Sequence, residues 1–268
     1  MTIIDVWGQV TTERMARAPW LATLLRWTGA DTVATTVPAT LAAMDEAGVE
    51  TMLVSAWRGP EGALISNEDV AAQVDEAPAR LRGLASVDLA DPMGAVREIR
   101  RWVDAKRFVG VRVVPWLWDL PPNDRRYYPV YAACVEAGVP FCTQIGHTGP
   151  LKRSETGRPI PYLEDVLLDF PELTVVGGHV GFPWVNELVT LTVKFPNFYV
   201  DTSAYALHRL PPDFVAYMKG AGAGRVMFGT NWPMLTPAQC LAGLDRLGLG
   251  EQDRDRFLFG AAKDVFGL

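Results

Sequence analysis

Residues 136–147, EAGVPFCTQIGH, and residues 170–181, FPELTVVGGHVG, share one build. Each opens where a helix must stop, at Gly138 in the first stretch and at Pro171 in the second. Glycine takes the left-handed turn past a helix end, and proline cannot continue the helix. Each stretch then runs almost continuously apolar and ends at a histidine, His147 or His179. An unbroken apolar run is the pattern of a parallel strand covered on both faces. Between the two strands, Leu163, Val166, Leu167 and Phe170 recur at helical spacing. The stretch therefore reads as strand, helix, strand, with a histidine at the same end of both strands.

The same alternation continues in both directions. Strand candidates are Ile3–Gly8, Thr51–Trp57, Leu81–Asp88, Val109–Pro115, Pro140–His147, Leu173–His179, Phe198–Ser203 and Arg225–Asn231. Helical spacing also marks Leu41, Met44 and Val49, and Val96, Ile99 and Val103. Eight strands with helices between them favour a closed barrel over an open doubly wound sheet. The predicted fold class is α/β, a single (β/α)8 TIM barrel over residues 1–268. Residues 10–37 exceed a barrel turn and are expected to cap one end of the pocket, and residues 251–268 to form a closing helix.

Composition narrows the function. The 268 residues suit one barrel, which commonly takes about 250. A net charge of −6 and a pI near 5.2 exclude a broad basic face for nucleic acid or anionic membrane. The expected partner is a small-molecule substrate, with no nucleic acid and no membrane; a homodimer is allowed for. Cys134, Cys142 and Cys240 include no CxxC pair and read as free thiols in a reducing compartment. The amino-terminal stretch reads as a strand rather than a signal peptide, and no apolar run approaches the roughly 18 residues of a membrane span. A soluble, cytoplasmic protein is expected.

Barrel chemistry sits at the carboxyl ends of the strands. His179 and His147 are the candidate catalytic pair, since two histidines at equivalent places on adjacent strands point to a shared site. His208 reads as a surface or rim residue. Trp7, Trp57, Trp116 and Trp232 fall at strand ends and suggest an aromatic-lined pocket for a flat substrate. Arg58, Arg112 and Arg158 are candidate carboxylate clamps, Arg112 foremost because an unpaired charge inside an apolar strand is costly. Gln9, Asp201 and Asn231 complete the expected substrate-binding set. Nucleophile-elbow, phosphate-loop and dinucleotide fingerprints are absent.

Five stretches together resemble the amidohydrolase-related family that includes aminocarboxymuconate semialdehyde decarboxylase: IIDVWGQ (3–9), the run 146–184, NFYVDTSAY (197–205), RVMFGTNWPM (225–234) and FGAAKDVFGL (259–268). The resemblance implies a metal site built from a His-x-His pair, the histidine ending strand five and an aspartate ending strand eight. Here the pair reads Trp7-Gly8-Gln9, the histidine is His147, and the aspartate is replaced by Asn231. The histidine ending strand six, used in the family to activate water or contact substrate, is His179.

Tryptophan cannot ligate zinc, and neutral amides are weak donors. No cofactor is therefore expected, with a weakly bound divalent metal such as zinc as the alternative. The expected activity is metal-independent hydrolysis of an ester, lactone or amide of a small carboxylated or aromatic substrate, by histidine acid–base chemistry. The alternatives are a decarboxylase or other C–C lyase acting on an aromatic or muconate-like acid, and a non-catalytic ligand-binding pseudoenzyme.

Overall fold

The computed structural model describes residues 2–29, 33–103 and 107–268, so residues 30–32 of the expected cap lie outside the described residues. Eight strands run parallel in one sheet, each paired with the next: β1 Ile4–Gly8, β2 Thr51–Ser55, β3 Leu81–Ala85, β4 Phe108–Val113, β5 Phe141–Gln144, β6 Val175–Gly178, β7 Phe198–Asp201 and β8 Val226–Met227. The ends meet through Val6 N–H to Phe228 O (3.0 Å), Asn231 N–H to Trp7 O (2.7 Å) and Gln9 N–H to Trp232 O (3.1 Å). These bonds close the sheet into the (β/α)8 barrel.

Helix boundaries follow local chemistry. The helix Val37–Ala47 begins where the Thr36 hydroxyl accepts the Ala39 N–H and stops at Gly48, φ +70°. The helix Tyr128–Ala137 stops at Gly138, φ +66°, as its glycine requires. The helix Asn67–Glu76 carries a reciprocal capping box between Ser66 and Asp69.

Burial divides into two layers. The larger cluster joins outward-facing strand residues such as Val54, Val111 and Val175 to the surrounding helices. The smaller one gathers Ile4, Val6, Leu53, Leu84, Val109, Cys142, Val176 and Met227 from seven strands, packed against Tyr199 of the eighth. It also includes Ala261, Ala262 and Phe266. A cluster fed by every strand is the barrel interior, and the carboxyl-terminal helical run from Glu251 seals its lower end. The interior is therefore packed apolar at the bottom, and its polar side chains lie toward the other end.

Two features differ from the sequence reading. The strands stop sooner than expected: β5 ends at Gln144, leaving His147 in a loop, and β8 ends at Met227, leaving Asn231 in a loop. Trp57 does not belong to β2 but to an antiparallel hairpin, Trp57–Gly59 with Gly62–Ile65, whose turn uses Gly62 at φ +112°. The three cysteines are free and buried. Among the described residues no helix is long and apolar enough to cross a membrane.

Candidate active site

A carboxylate fixes the rim between the first and last strands. Asp5, fully buried, accepts the Trp7 N–H (3.0 Å), the Thr230 N–H (3.0 Å) and the Thr230 hydroxyl (2.6 Å). Burial lifts its carboxyl to about 7 in spite of these bonds. The clamp sets Gln9 beside Asn231: the Gln9 amide donates to Asn231 Oδ1 (3.2 Å) and to the Trp232 carbonyl. Asn231 holds φ +72°, a conformation asparagine tolerates better than most side chains.

Below the mouth lies a stack of charge on aromatic on imidazole. Arg112, 1% exposed, donates to Ser55 Oγ (2.9 Å) and to the Val6 carbonyl (2.8 Å). Its guanidinium lies 3.7 Å from the Trp7 ring centroid, and the Trp7 ring is 4.8 Å from that of His179. Burial lowers Arg112 to about 10, with Asp201 and Asp5 among the groups holding it up, so it stays charged at neutral pH. Burial, Arg112 and His147 together push the His179 imidazole down to about 3, although part of the residue reaches the cavity. His179 is therefore neutral, with Nδ1 2.6 Å from Ser203 Oγ.

Gly178, just before His179, makes this stack possible. A Cβ there would overlap the Trp7 ring at Cζ3 and Cε3. Gly178→Ala should cost about 1–3 kcal/mol of stability, the usual cost of overpacking a filled interior. Denaturant titration checks this; an unchanged midpoint would mean that Trp7 is free to move aside.

Above the stack opens a cavity of about 650 Å³. Trp20, Trp57 and Trp116 form one wall, with Trp20 stacked on Trp57 (centroids 6.3 Å) and edge-on to Trp116 (4.9 Å). Trp116 Nε1 donates to Gln144 Oε1 (2.7 Å), and Gln144 Nε2 donates to the His147 carbonyl (3.1 Å), tying this wall to the loop after β5. Trp27 stacks on the exposed His147 at 5.9 Å. Met15, Trp20, Leu24 and Trp27 all come from the segment expected to be a cap. The remaining lining includes Tyr205, His208 and Arg209 from the loop after β7. Among the described lining residues Arg209 is the sole arginine or lysine, and there is no aspartate or glutamate.

The cavity thus brings together His179, His147, Gln9, Trp57, Trp116 and Asn231 of the residues singled out from sequence. The others lie elsewhere. Trp7 is wholly buried beneath His179, and Arg112 lies beneath Trp7, so neither reaches a ligand in the cavity. Arg58 faces a separate polar cleft and pairs with Asp88 (2.9 Å), while Arg158 pairs with Glu187 (2.7 Å). Asp201 is buried behind Ser203, and Trp232 turns its Nε1 to Thr40 Oγ1 (3.0 Å). Sequence reasoning missed Trp20, Trp27 and Arg209; Gln144 reads as a polar strand-end residue beside His147 but was not placed in the substrate-binding set. The amphipathic LATLLRWT helix beside Trp20 was a readable sign of the two tryptophans; nothing in sequence singles out Arg209.

A family model described as Amidohydrolase matches residues 4–268. The chain belongs to the amidohydrolase family. Within that family it is similar to the gamma-resorcylate decarboxylase of a Polaromonas species, 26% identical over 84% of this chain and 85% of that one. It superposes on an uncharacterised TIM-barrel protein from Bordetella bronchiseptica at TM-score 0.85, 25% identical, covering 100% of this chain and 99% of that one. It also superposes on a dihydroxybenzoic acid decarboxylase from a Polaromonas species, at TM-score 0.69 and 20% identity, covering 100% and 96% of the two chains. That structure holds manganese and the inhibitor 2-nitroresorcinol.

These findings keep the amidohydrolase expectation of an enzyme and correct two others. Hydrolysis of an ester, lactone or amide is overturned, because the curated relatives are decarboxylases of an aromatic acid. The curated relatives favour the decarboxylase alternative instead. The expectation of no cofactor, with zinc as the alternative, is overturned by related decarboxylases solved with manganese, so a divalent metal is what similarity indicates.

The donor set of this chain is a separate question. Among the described residues, no group of three or more His, Cys, Asp or Glu side chains is placed to hold a metal ion. Gln9 Oε1 is a buried oxygen with no protein partner, but it is neutral, and His179 Nδ1 is engaged by Ser203. Manganese favours carboxylate and other oxygen ligands. The side chains in place do not fit such a site, and no chemical step below is routed through a metal.

Proposed function

We propose that this amidohydrolase decarboxylates a ring-hydroxylated aromatic carboxylic acid without oxidation, the kind of acid on which the gamma-resorcylate decarboxylases act. The carrying observation is the lining of the cavity among the described residues: tryptophan walls, all three histidines of the chain, one arginine and no acid. Aromatic walls suit a planar ring. A cavity whose described lining carries one arginine and no acid suits a carboxylate, which Arg209 can meet bidentately at the mouth. The segment 10–37 serves as the cap that supplies Trp20 and Trp27, within one domain over the whole chain.

Neutral His179 suits both proton transfers. It takes the proton of the ring hydroxyl, and the resulting phenolate raises electron density at the carbon bearing the carboxylate. The imidazolium so formed is disfavoured by burial beside Arg112 and is therefore a strong acid. It delivers its proton to that ring carbon; the bond to the carboxyl carbon breaks, and CO2 leaves. The phenolate regains a proton from solvent. The overall change is one proton taken up for each carboxylate lost as CO2. His147, exposed and stacked on Trp27, holds the ring from the open side.

Arg209 makes no ion pair among the described residues, so its replacement disturbs no partner. Arg209→Ala should raise KM about tenfold or more, the contribution of one charge-assisted hydrogen bond, with a smaller change in kcat. Steady-state kinetics on a hydroxybenzoate checks this, with 2,6-dihydroxybenzoate as the first substrate to try and manganese supplied. An unchanged KM would remove Arg209 from substrate binding.

A further inference from the structure

Two side-chain amides, Gln9 and Asn231, meet at the cavity beside the His179 stack, and only Asn231 has a donor to spare. Gln9 is wholly buried, and its Nε2 donates to the Trp232 carbonyl and to Asn231 Oδ1 (3.2 Å), with the Asn231 carbonyl at 3.4 Å. Backbone carbonyls only accept, so they fix which end of the Gln9 amide is the nitrogen. That nitrogen in turn needs an acceptor on Asn231, so Oδ1 faces Gln9 and Nδ2 is turned away from it. Reversing either amide would set oxygen against oxygen or NH2 against NH2. Both protons of the Gln9 amide are thereby spent, whereas Asn231 Nδ2 has no partner among the described residues.

This donor is held in place. The Asn231 N–H donates to the Trp7 carbonyl (2.7 Å), and the Trp7 ring lies 4.8 Å from that of His179. The amide and the imidazole are thus built on one residue, and both line the cavity. Asp5 clamps the backbone on each side of the pair, at Trp7 and at Thr230. Arg209 is the lone cation of the described lining and suits the carboxylate. A neutral donor next to a neutral base suits an oxygen that is about to lose its proton.

We infer that Asn231 is an oxyanion donor whose Nδ2 hydrogen-bonds the ring oxygen of the substrate as that oxygen becomes a phenolate. The identity of the oxygen rests on the decarboxylase reading. The ring hydroxyl directs its proton to His179 and a lone pair to Nδ2. When the O–H bond breaks, the proton passes to the imidazole nitrogen and the oxygen keeps the electron pair. The bond from Nδ2 then becomes charge-assisted and about twice as strong. The amide is already oriented by Gln9, so no reorganisation accompanies the new charge. The site consequently selects an ionised phenol over a neutral one.

The test uses phenols without a carboxylate, so that binding is read apart from turnover, by calorimetric titration of the as-purified protein. At about pH 8 the nitro group keeps 2-nitroresorcinol ionised, while resorcinol keeps its protons as an ordinary phenol does. Wild type should bind 2-nitroresorcinol the tighter. Asn231→Gly accepts the positive φ and leaves Gln9 its two backbone carbonyls. It should weaken 2-nitroresorcinol about 10- to 10²-fold, the worth of a hydrogen bond to a charged group, and resorcinol only about a few-fold. Asn231→Asp keeps an acceptor for Gln9 but meets the phenolate with a like charge, so resorcinol should become the tighter ligand. Equal losses for both phenols in both variants would mean a merely structural amide and overturn the inference. So would a wild type that prefers resorcinol or binds neither. A reversed order without loss of CO2 from any aromatic acid leaves the inference standing and sinks the decarboxylase reading; unchanged binding alongside turnover does the converse.

Discussion

Replacing His179 by asparagine should lower kcat by about 10² to 10⁴, the range for losing a positioned acid or base. Asparagine can keep a hydrogen bond toward Ser203, so the loss is of proton transfer rather than of the fold. Melting temperature and circular dichroism should stay close to wild type, and turnover that survives would remove His179 from the chemistry. The same residue predicts a pH signature. An unshifted imidazole is almost fully charged at about pH 5, whereas His179, held down to about 3 by burial, Arg112 and His147, should remain neutral there. The sign for stability follows. A folded value below the ordinary 6.5 means the unfolded chain binds the extra proton. The contribution of His179 is therefore fully present above about 6.5 and lost as pH falls toward 3. His179→Asn should flatten that acid-side loss in a series of thermal melts.

The second large effect is on stability and concerns Arg112. It is buried between the Val6 carbonyl, Ser55 and the Trp7 face, in the field of Asp5 and Asp201. Arg112→Met keeps the length and the apolar contact with Trp7 but leaves two buried carboxyls without their cation. Removing one partner of a buried charge group typically costs about 3–5 kcal/mol, because the other stays behind uncompensated. The denaturant midpoint should fall accordingly with an unchanged slope. Adding Asp201→Asn should recover part of the loss, and the double-mutant cycle gives the coupling. A single-variant cost well under about 1 kcal/mol would mean that the charge of Arg112 is not needed by its neighbours.

Arg112 also marks where sequence stops being informative. Its place in an apolar strand announced a buried charge, but not whether that charge faced the pocket or lay under its floor. That depends on Trp7, whose ring closes the barrel over it, and on Gly178, which gives the ring room. Arg58 and Arg158 show a related limit: their partners Asp88 and Glu187 are 30 and 29 residues away in sequence and become neighbours only once the barrel closes. The barrel itself was legible because parallel strands are uniformly apolar and their helices stop at glycine or proline. The strand ends were not, since His147 and Asn231 continue an apolar-looking run into loops.

The segment proposed as the cap was visible as excess length, but the amphipathic LATLLRWT helix within it went unread, and Trp20 and Trp27 with it. The hairpin around Trp57 was too short to announce itself by alternation. Chemistry was read least well. The loss of ligand types at Trp7, Gln9 and Asn231 led toward metal-free hydrolysis, whereas whole-chain similarity leads to decarboxylases, some of them solved with manganese. Ligand identity at a few positions says little about which bond a barrel breaks, because the same mouth serves many reactions.

In the proposed reaction this cavity removes CO2 from a ring-hydroxylated benzoate by protonating the ring carbon. Its most direct test is incubation of the protein with a panel of such acids in heavy water, with manganese supplied, followed by mass spectrometry and magnetic resonance of the products. The expected product is a phenol lacking the carboxyl group, with one deuterium at the carbon that carried it, formed at least about 10² more slowly by His179→Asn. Recovery of the acids unchanged, or turnover of lactones and esters to their hydrolysis products instead, would contradict it.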